Sequence, residues 1–399
     1  MAALGALLIV VVPFSRNGRA LTEERARKVA LFAATAEFAG VLALGALRML
    51  DLCSPSIRFV LDVAITIAAI IAIGSWLRQV RGADATTSAV LVFSALFVAE
   101  IPAIMLDLLP EAVRGVAVSP LLLFQIYLFG RYHAEIPANA SKTAPGQDDY
   151  YAFILSGAAN RRFLIAGATG LAAISLVSGF LCGFSGDEAI VFGVGAEIAR
   201  FLLTETFCVA FIAHIVRGKR RVMGTGIWLT MEFLAGIALV LYSAFPNHLE
   251  IGGVAATMLT AVMTLVVWHL SLAFMAVGWR EPLYYVVVIW GIWAVSHGLG
   301  RFVLTLLPMH GDSHFTGTLI SLLLLISTQI ILVKLIDVAQ FAAEIAVRKS
   351  TPYARAQIET GSAATSFPFP PLPRQRRQAP SSEFSGLTRK PRSPMCVMR

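Results

Sequence analysis

The chain has 399 residues, 57% hydrophobic and 14% charged, with a mean hydropathy of +0.75; ordinary soluble domains run about 45–50% apolar and about 25% charged. Only a chain solvated by lipid can expose that much apolar surface, so a soluble enzyme is excluded and an all-α, polytopic integral membrane protein is expected. The formal net charge of +8 equals that of the last 54 residues taken alone, so the membrane body is near neutral and the basic balance gives no sign of nucleic-acid binding.

At about 1.5 Å per residue, roughly 20 apolar residues cross a hydrocarbon core of about 30 Å. Eleven such blocks occur in chain order: Ala2 to Phe14, Val29 to Leu50, Ile57 to Leu77, Ser88 to Leu109, Val113 to Gly130, Phe163 to Phe184, Ala189 to Ile215, Met223 to Phe245, Val254 to Val277, Leu283 to Leu307 and Thr316 to Phe341. The first is short, covering only about 20 Å. It lacks the positive start of a signal peptide, so a half-span or a shortened start fits it better.

Lys and Arg confirm the division. The segments after the first, third, fifth, seventh and ninth spans and the C-terminal tail hold 26 of the 32, and the opposite loops hold only Arg48, Arg58 and Arg114. The positive-inside rule then places the N-terminus outside and the C-terminus in the cytoplasm of a bacterial-type inner (plasma) membrane. Cys53 and Cys182 fall near the external face, where they either pair or stay as small residues at helix ends.

Sliding the chain on itself by about 200 residues brings several spans into weak register. Glu37-Phe38-Ala39-Gly40 lies against Glu232-Phe233-Leu234-Ala235-Gly236, Leu108-Leu109-Pro110 against Leu306-Leu307-Pro308, and Ser119 against Ser321, each Ser leading a Leu run. The shift is six spans, so the two copies have the same orientation. The expected organisation is a first repeat (1–133), a cytoplasmic linker (134–160), an extra sixth helix (161–188), a second repeat (189–345) and a disordered, basic, Pro-rich tail (346–399). The tail carries ten Lys or Arg and two Glu. It reads either as a tether for anionic lipid or a protein partner, or as a solvated tail obeying the positive-inside rule.

A charge in mid-membrane costs about 2.5–3.5 kcal/mol or more, so each needs a partner, a cavity or a function. The first half offers Glu37, Asp62, Glu100 and Gln125. The second offers Glu197, Arg200, Glu205, Glu232, His269, His297, Arg301, Thr328, Gln329 and Lys334. Counting from the turn at Glu281-Pro282 puts His269 and His297 at similar heights, with Arg301 one turn beyond His297. Glu232, Glu205 and Thr328-Gln329 fall near the same level, giving a midplane polar cluster in the second half.

Three chemistries compete for that cluster. In a proton-coupled or substrate-binding cavity, Glu205 or Glu232 titrates, His269 or His297 relays protons and Arg301 holds an anionic group. In a haem b protein, His269 and His297 are the axial ligands. In the third, Glu, His and Arg only hold helices together. Glu197 and Arg200, three apart, are expected to neutralise each other, and Lys334 with Asp337 reads as a snorkelling pair rather than a retinal site. His310, Asp312 and His314 share an external loop that either binds a metal or is simply solvated. Pro102, Gly298 and Gly300 mark positions where spans are open to kinking or breaking.

The sequence therefore points to a secondary transporter or permease with no predicted cofactor. Glu232, His269, His297, Arg301 and Glu205 form its pathway, and Glu37 and Glu100 are acidic partners across the repeat interface. The alternatives are a non-catalytic membrane subunit or assembly factor and, third, a haem b redox protein. No nucleotide loop or nucleophile triad marks it as an enzyme.

Overall fold

The computed structural model describes residues 7, 11, 21–50, 52–81, 83, 85–131, 161–183, 190, 192–217, 225–277, 281–306, 317–319, 321–326, 328 and 329. The chain divides into two units, Met1–Ala346 and Val347–Arg399, and every described residue belongs to the first. Most of the first apolar block, the linker, the tail, Lys334 and the His310–His314 loop lie outside the described residues.

The described secondary structure is helical: α1 (Glu23–Met49), α2 (Pro55–Gln79), α3 (Ala85–Asp107), α4 (Glu111–Arg131), α5 (Arg161–Cys182), α6 (Val194–Val216), α7 (Thr225–Ala244), α8 (Leu249–Val277) and α9 (Pro282–Leu306), followed by a shorter apolar helix, α10 (Gly317–Ile326). Each of the second to tenth apolar blocks is matched by one of α1–α9. Among the described residues, eight helices are long and apolar enough to cross a bilayer, namely α1–α4 and α6–α9, rather than the eleven counted from the sequence. The chain is a multi-pass membrane protein.

Local chemistry sets the ends. α1 starts six residues before its apolar block because the Thr22 hydroxyl accepts the Arg25 N–H at 3.4 Å and Glu23 and Glu24 occupy the first turn; both features satisfy a helix N-terminus. α2 is capped by Ser54 and opened by Pro55, the position where a missing N–H costs nothing. Pro102 and Pro120 lie inside α3 and α4, and Gly298 and Gly300 lie inside α9, without ending those helices. Gly300 instead admits a neighbour: a Cβ there would sit 2.3 Å from the Leu176 carbonyl oxygen, and one at Gly179 would sit 1.9 Å from that of His297. α5 and α9 thus pack backbone to backbone, as small residues permit in membranes.

α8 is the most buried of the eight, and α2, α3, α5, α6, α7 and α9 pack against it. Its Leu259, Met263, Leu265 and Leu272 join Phe93, Phe180, Ile227, Met231 and Tyr242 in one core. α1 packs on α2 and α4, α7 on α8, α3 on α6, and α2 on α9. Large apolar side chains such as Phe32, Phe59, Val98, Met105, Leu229, Phe233 and Val240 point outward and are more than 55% exposed. On a soluble protein such a surface would aggregate, whereas lipid solvates it.

Where α2 ends and α9 begins, Arg78 is almost fully buried and ion-pairs with Glu281. Its Nη2 donates to the Leu21 carbonyl at 2.9 Å and to Glu23 at 3.1 Å. Glu281 in turn accepts the Leu21 N–H at 2.8 Å, and Arg81 reaches Glu23 at 2.7 Å. This network ties the start of α1 to α2 and α9 at one end of the bundle.

Candidate functional site

The clearest polar assembly joins α3, α4 and α6. Arg200 on α6 donates from Nε to Glu197 at 3.0 Å, from Nη1 to Glu100 at 3.0 Å and from Nη2 to Asp107 at 3.2 Å. Arg114 lies 3.4 Å from Asp107 and donates to the Asp107 and Leu109 carbonyls. Two guanidinium groups thus face three carboxylates. Glu205, further along α6, lies within electrostatic reach of Glu100, and neither of its oxygens has a hydrogen-bond partner among the described residues. Going inward from the end of α3, the carboxylates run Asp107, Glu197, Glu100, Glu205.

The expected Glu197–Arg200 pair forms, but it does not close on itself, because Arg200 also holds Glu100 and Asp107. Asp107, near the end of the fourth apolar block, and Arg114, counted with a loop, gave no sign in the sequence of joining it. Arg78 and Glu281 were likewise placed at span ends. Their one sequence signal is that a Glu before a helix-opening Pro stands at an N-terminus, where carboxylates are favoured.

Glu232 sits on α7. It is 8% exposed, and both carboxylate oxygens lack a hydrogen-bond partner among the described residues. The contact of Gly252 with Tyr242 fixes the antiparallel register of α7 and α8 and puts Val262 and Met263 level with it. Both are apolar and buried. On α5, the contacts of Ser178 with Thr260 and of Cys182 with Ala256 set Leu171 beside Val267, away from this level. Glu37, at the matching position of α1, accepts from Gln125 Nε2 of α4 at 3.4 Å.

The histidines and Arg301 are placed differently from one another. His269 is 1% exposed on α8, and His297 on α9 lies beside Trp293, with ring centroids 5.9 Å apart. Phe274 and Tyr285 face each other across the α8–α9 turn at 6.2 Å, which brings His269 level with Trp290 and His297 level with Val262. The rings are therefore offset by seven residues, about 10 Å along the seam. The similar height read from sequence counted residues 278–281 as helix, whereas α8 ends at Val277 and α9 begins at Pro282. Arg301 is exposed; its stem lies beside Gly183, just past the end of α5, and it is within electrostatic reach of His297. Cys182 points to α8, with Sγ 3.4 Å from the Thr260 hydroxyl, and Cys53 is unpaired.

Among the described residues no group of three or more His, Cys, Asp or Glu has the arrangement of a metal centre. No known family model matches the chain, and no curated protein matches it either. What it can do is therefore argued from the charged groups that its membrane helices carry inward.

Proposed function

We propose that the protein is a proton-coupled secondary transporter or permease of the inner (plasma) membrane, with its N-terminus outside, its C-terminus in the cytoplasm and Glu232 as the working carboxyl. The observation that carries this reading is a carboxylate buried on a membrane helix, level with the apolar Val262 and Met263 of α8 and with neither oxygen hydrogen-bonded among the described residues. An ionised carboxylate left so is costly by several kcal/mol, and structural polar groups in membranes ordinarily find partners on neighbouring helices. A proton on Glu232 removes the charge, and a change in packing that admits water lets the proton leave. Intramembrane carboxyls with that behaviour mark proton pathways.

The other candidates take supporting roles. Arg200 holds Glu197, Glu100 and Asp107 at the outer end of α3 and α6, and Glu205 behind them continues the acidic line inward. His269 and His297 are the relay groups, and Arg301 at the rim attracts an anionic group. The test reconstitutes the full chain in liposomes that trap a pH-sensitive dye, with a potassium diffusion potential driving protons inward. Wild-type protein is expected to acidify the interior faster than empty liposomes, and Glu232→Gln to fall to their rate. Wild type matching empty liposomes, or Glu232→Gln matching wild type, would overturn the reading.

A further inference from the structure

Glu232 has a counterpart. α1 and α7 begin a matching run of packing in the two halves: α1 packs on α2 as α7 packs on α8, and α2 packs on α9 as α8 packs on α3. α1 also packs on α4, and α7 faces α10 through Ser243 and Thr318, whose hydroxyls lie 3.4 Å apart. Contacts between α2 and α8 lie at the centre of this pattern. Two same-orientation halves related by a twofold axis along the membrane normal produce that set of pairs.

The polar residues follow the same symmetry. α1 and α4 run antiparallel, Gly45 meets Gly115, and Glu37 faces Gln125. α7 and α10 are antiparallel too, and Leu239, Val240 and Ser243 line one groove with Thr318 and Leu322. The Thr328 hydroxyl bonds back to the Leu324 carbonyl at 2.9 Å, so the helical path continues past Ile326. Eleven residues inward from Ser243 is Glu232, and eleven inward from Thr318 is Gln329. By this count each half has a Gln on one helix at the level of a Glu on the other; Gln125 bonds Glu37, whereas Gln329 is exposed and does not bond Glu232, and the Glu37-Phe38 and Glu232-Phe233 motifs mark the same helix position.

We propose that Glu37 and Glu232 are two equivalent proton sites, one in each half, each with a carboxamide, Gln125 or Gln329, at its level. This rests on the reading of Glu232 as the working carboxyl and adds the second site and its symmetry. The surroundings favour a proton over a fixed counter-charge. Level with Glu232 by register, α8 presents Val262 and Met263, and the chain past α10 carries the buried Thr328 and the exposed Gln329; the titratable groups of α5, α7 and α8, Cys182, Tyr242, Glu250 and His269, stand at other levels of the register. Around Glu37, α2 presents Ala68 and α4 presents Gln125. The described charged side chains of those helices are the exposed Arg58–Asp62 pair, 3.7 Å apart, Arg114, which lies on Asp107, and Arg78 and Arg131 at the helix ends. A carboxamide suits both protonation states, because its N–H donates to a carboxylate and its oxygen accepts from a carboxylic acid.

A hydrophobic carbodiimide tests this without knowledge of the substrate. The protonated acid gives its hydrogen to a carbodiimide nitrogen while its oxygen bonds the central carbon; acyl transfer to nitrogen then yields a stable acylurea, with nothing lost. A paired carboxylate does not start the reaction. The full chain is treated in lipid vesicles, and the modified residues are located by peptide mass spectrometry. Label is expected on both Glu37 and Glu232, falling together as the medium is made alkaline, and not on Glu100 or Glu197, which are ion-paired with Arg200. Glu37→Gln should leave the Glu232 label in place, and the converse variant the Glu37 label. Label on Glu232 alone, on neither, or on Glu100 in preference would overturn the proposal. If both sites label but no proton flux is found in liposomes, the paired sites stand and the transport reading fails; flux with label on Glu232 alone keeps transport and removes the second site.

Discussion

Replacing Arg200 by Met keeps most of its volume and deletes its charge, leaving Glu100, Glu197 and Asp107 without their shared partner. At an effective dielectric of about 20, charges 3 Å apart attract by about 5 kcal/mol, and desolvation of both partners offsets much of that. Glu100 is the decisive partner, because its side chain is 10% exposed against 19% for Glu197 and 34% for Asp107. Removing one member of a buried pair leaves the other uncompensated, at about 3–5 kcal/mol. Arg200→Met is therefore expected to lower unfolding stability by about that much, and adding Glu100→Leu should return it to within about 1 kcal/mol of wild type, since apolar replacement of a whole buried pair is close to neutral. Purified protein in detergent, unfolded by a denaturing surfactant and followed by tryptophan fluorescence, gives both numbers. A single variant within about 1 kcal/mol of wild type, or a double variant less stable than the single, would refute the reasoning.

Gly179→Ala and Gly300→Ala should each destabilise by about 1–3 kcal/mol through overpacking, since the new methyl meets a carbonyl oxygen at 1.9 or 2.3 Å. Gly195→Ala, with open space around it, should be neutral or gain up to about 1 kcal/mol of helix propensity; the same unfolding assay separates the two outcomes. A membrane-impermeant maleimide applied to intact cells should modify Cys53, which lies between α1 and α2, if the N-terminus is outside; protection until the cells are opened would reverse the topology. Oxidised and dithionite-reduced absorption spectra should match, given the offset between His269 and His297. A haem difference band lost in His269→Ala and His297→Ala would make electron transfer the leading function.

The positions of α1–α9 were legible because a membrane helix must be a long apolar block and because Lys and Arg mark alternate loops. The start of α1 was not, since Thr22, Glu23 and Glu24 look like loop until their capping roles are seen. Helical spacing revealed the Glu197–Arg200 pair, which lies on one helix. It could not reveal Glu100 on the same arginine, 100 residues away, or Arg78 on Glu281, 203 residues away, because such contacts depend on which helices become neighbours. Gly298 and Gly300 looked like breaks because sequence shows a missing side chain but not the α5 backbone that takes its place. Arg301 was on the right helix, but periodicity alone did not say that its side is exposed. The similar Glu37-Phe38 and Glu232-Phe233 motifs were visible in the sequence, whereas the Gln125 that bonds Glu37 needed the antiparallel register of α1 with α4.

The central claim is that Glu232 exchanges a proton inside the membrane. Attenuated-reflection infrared difference spectroscopy of the reconstituted chain, cycled between acidic and alkaline buffer, reads this through the carboxylic C=O stretch, which a carboxylate lacks. The account predicts a reversible carboxylic band in the wild type that weakens in Glu232→Gln. A band of the same size in wild type and Glu232→Gln would contradict it.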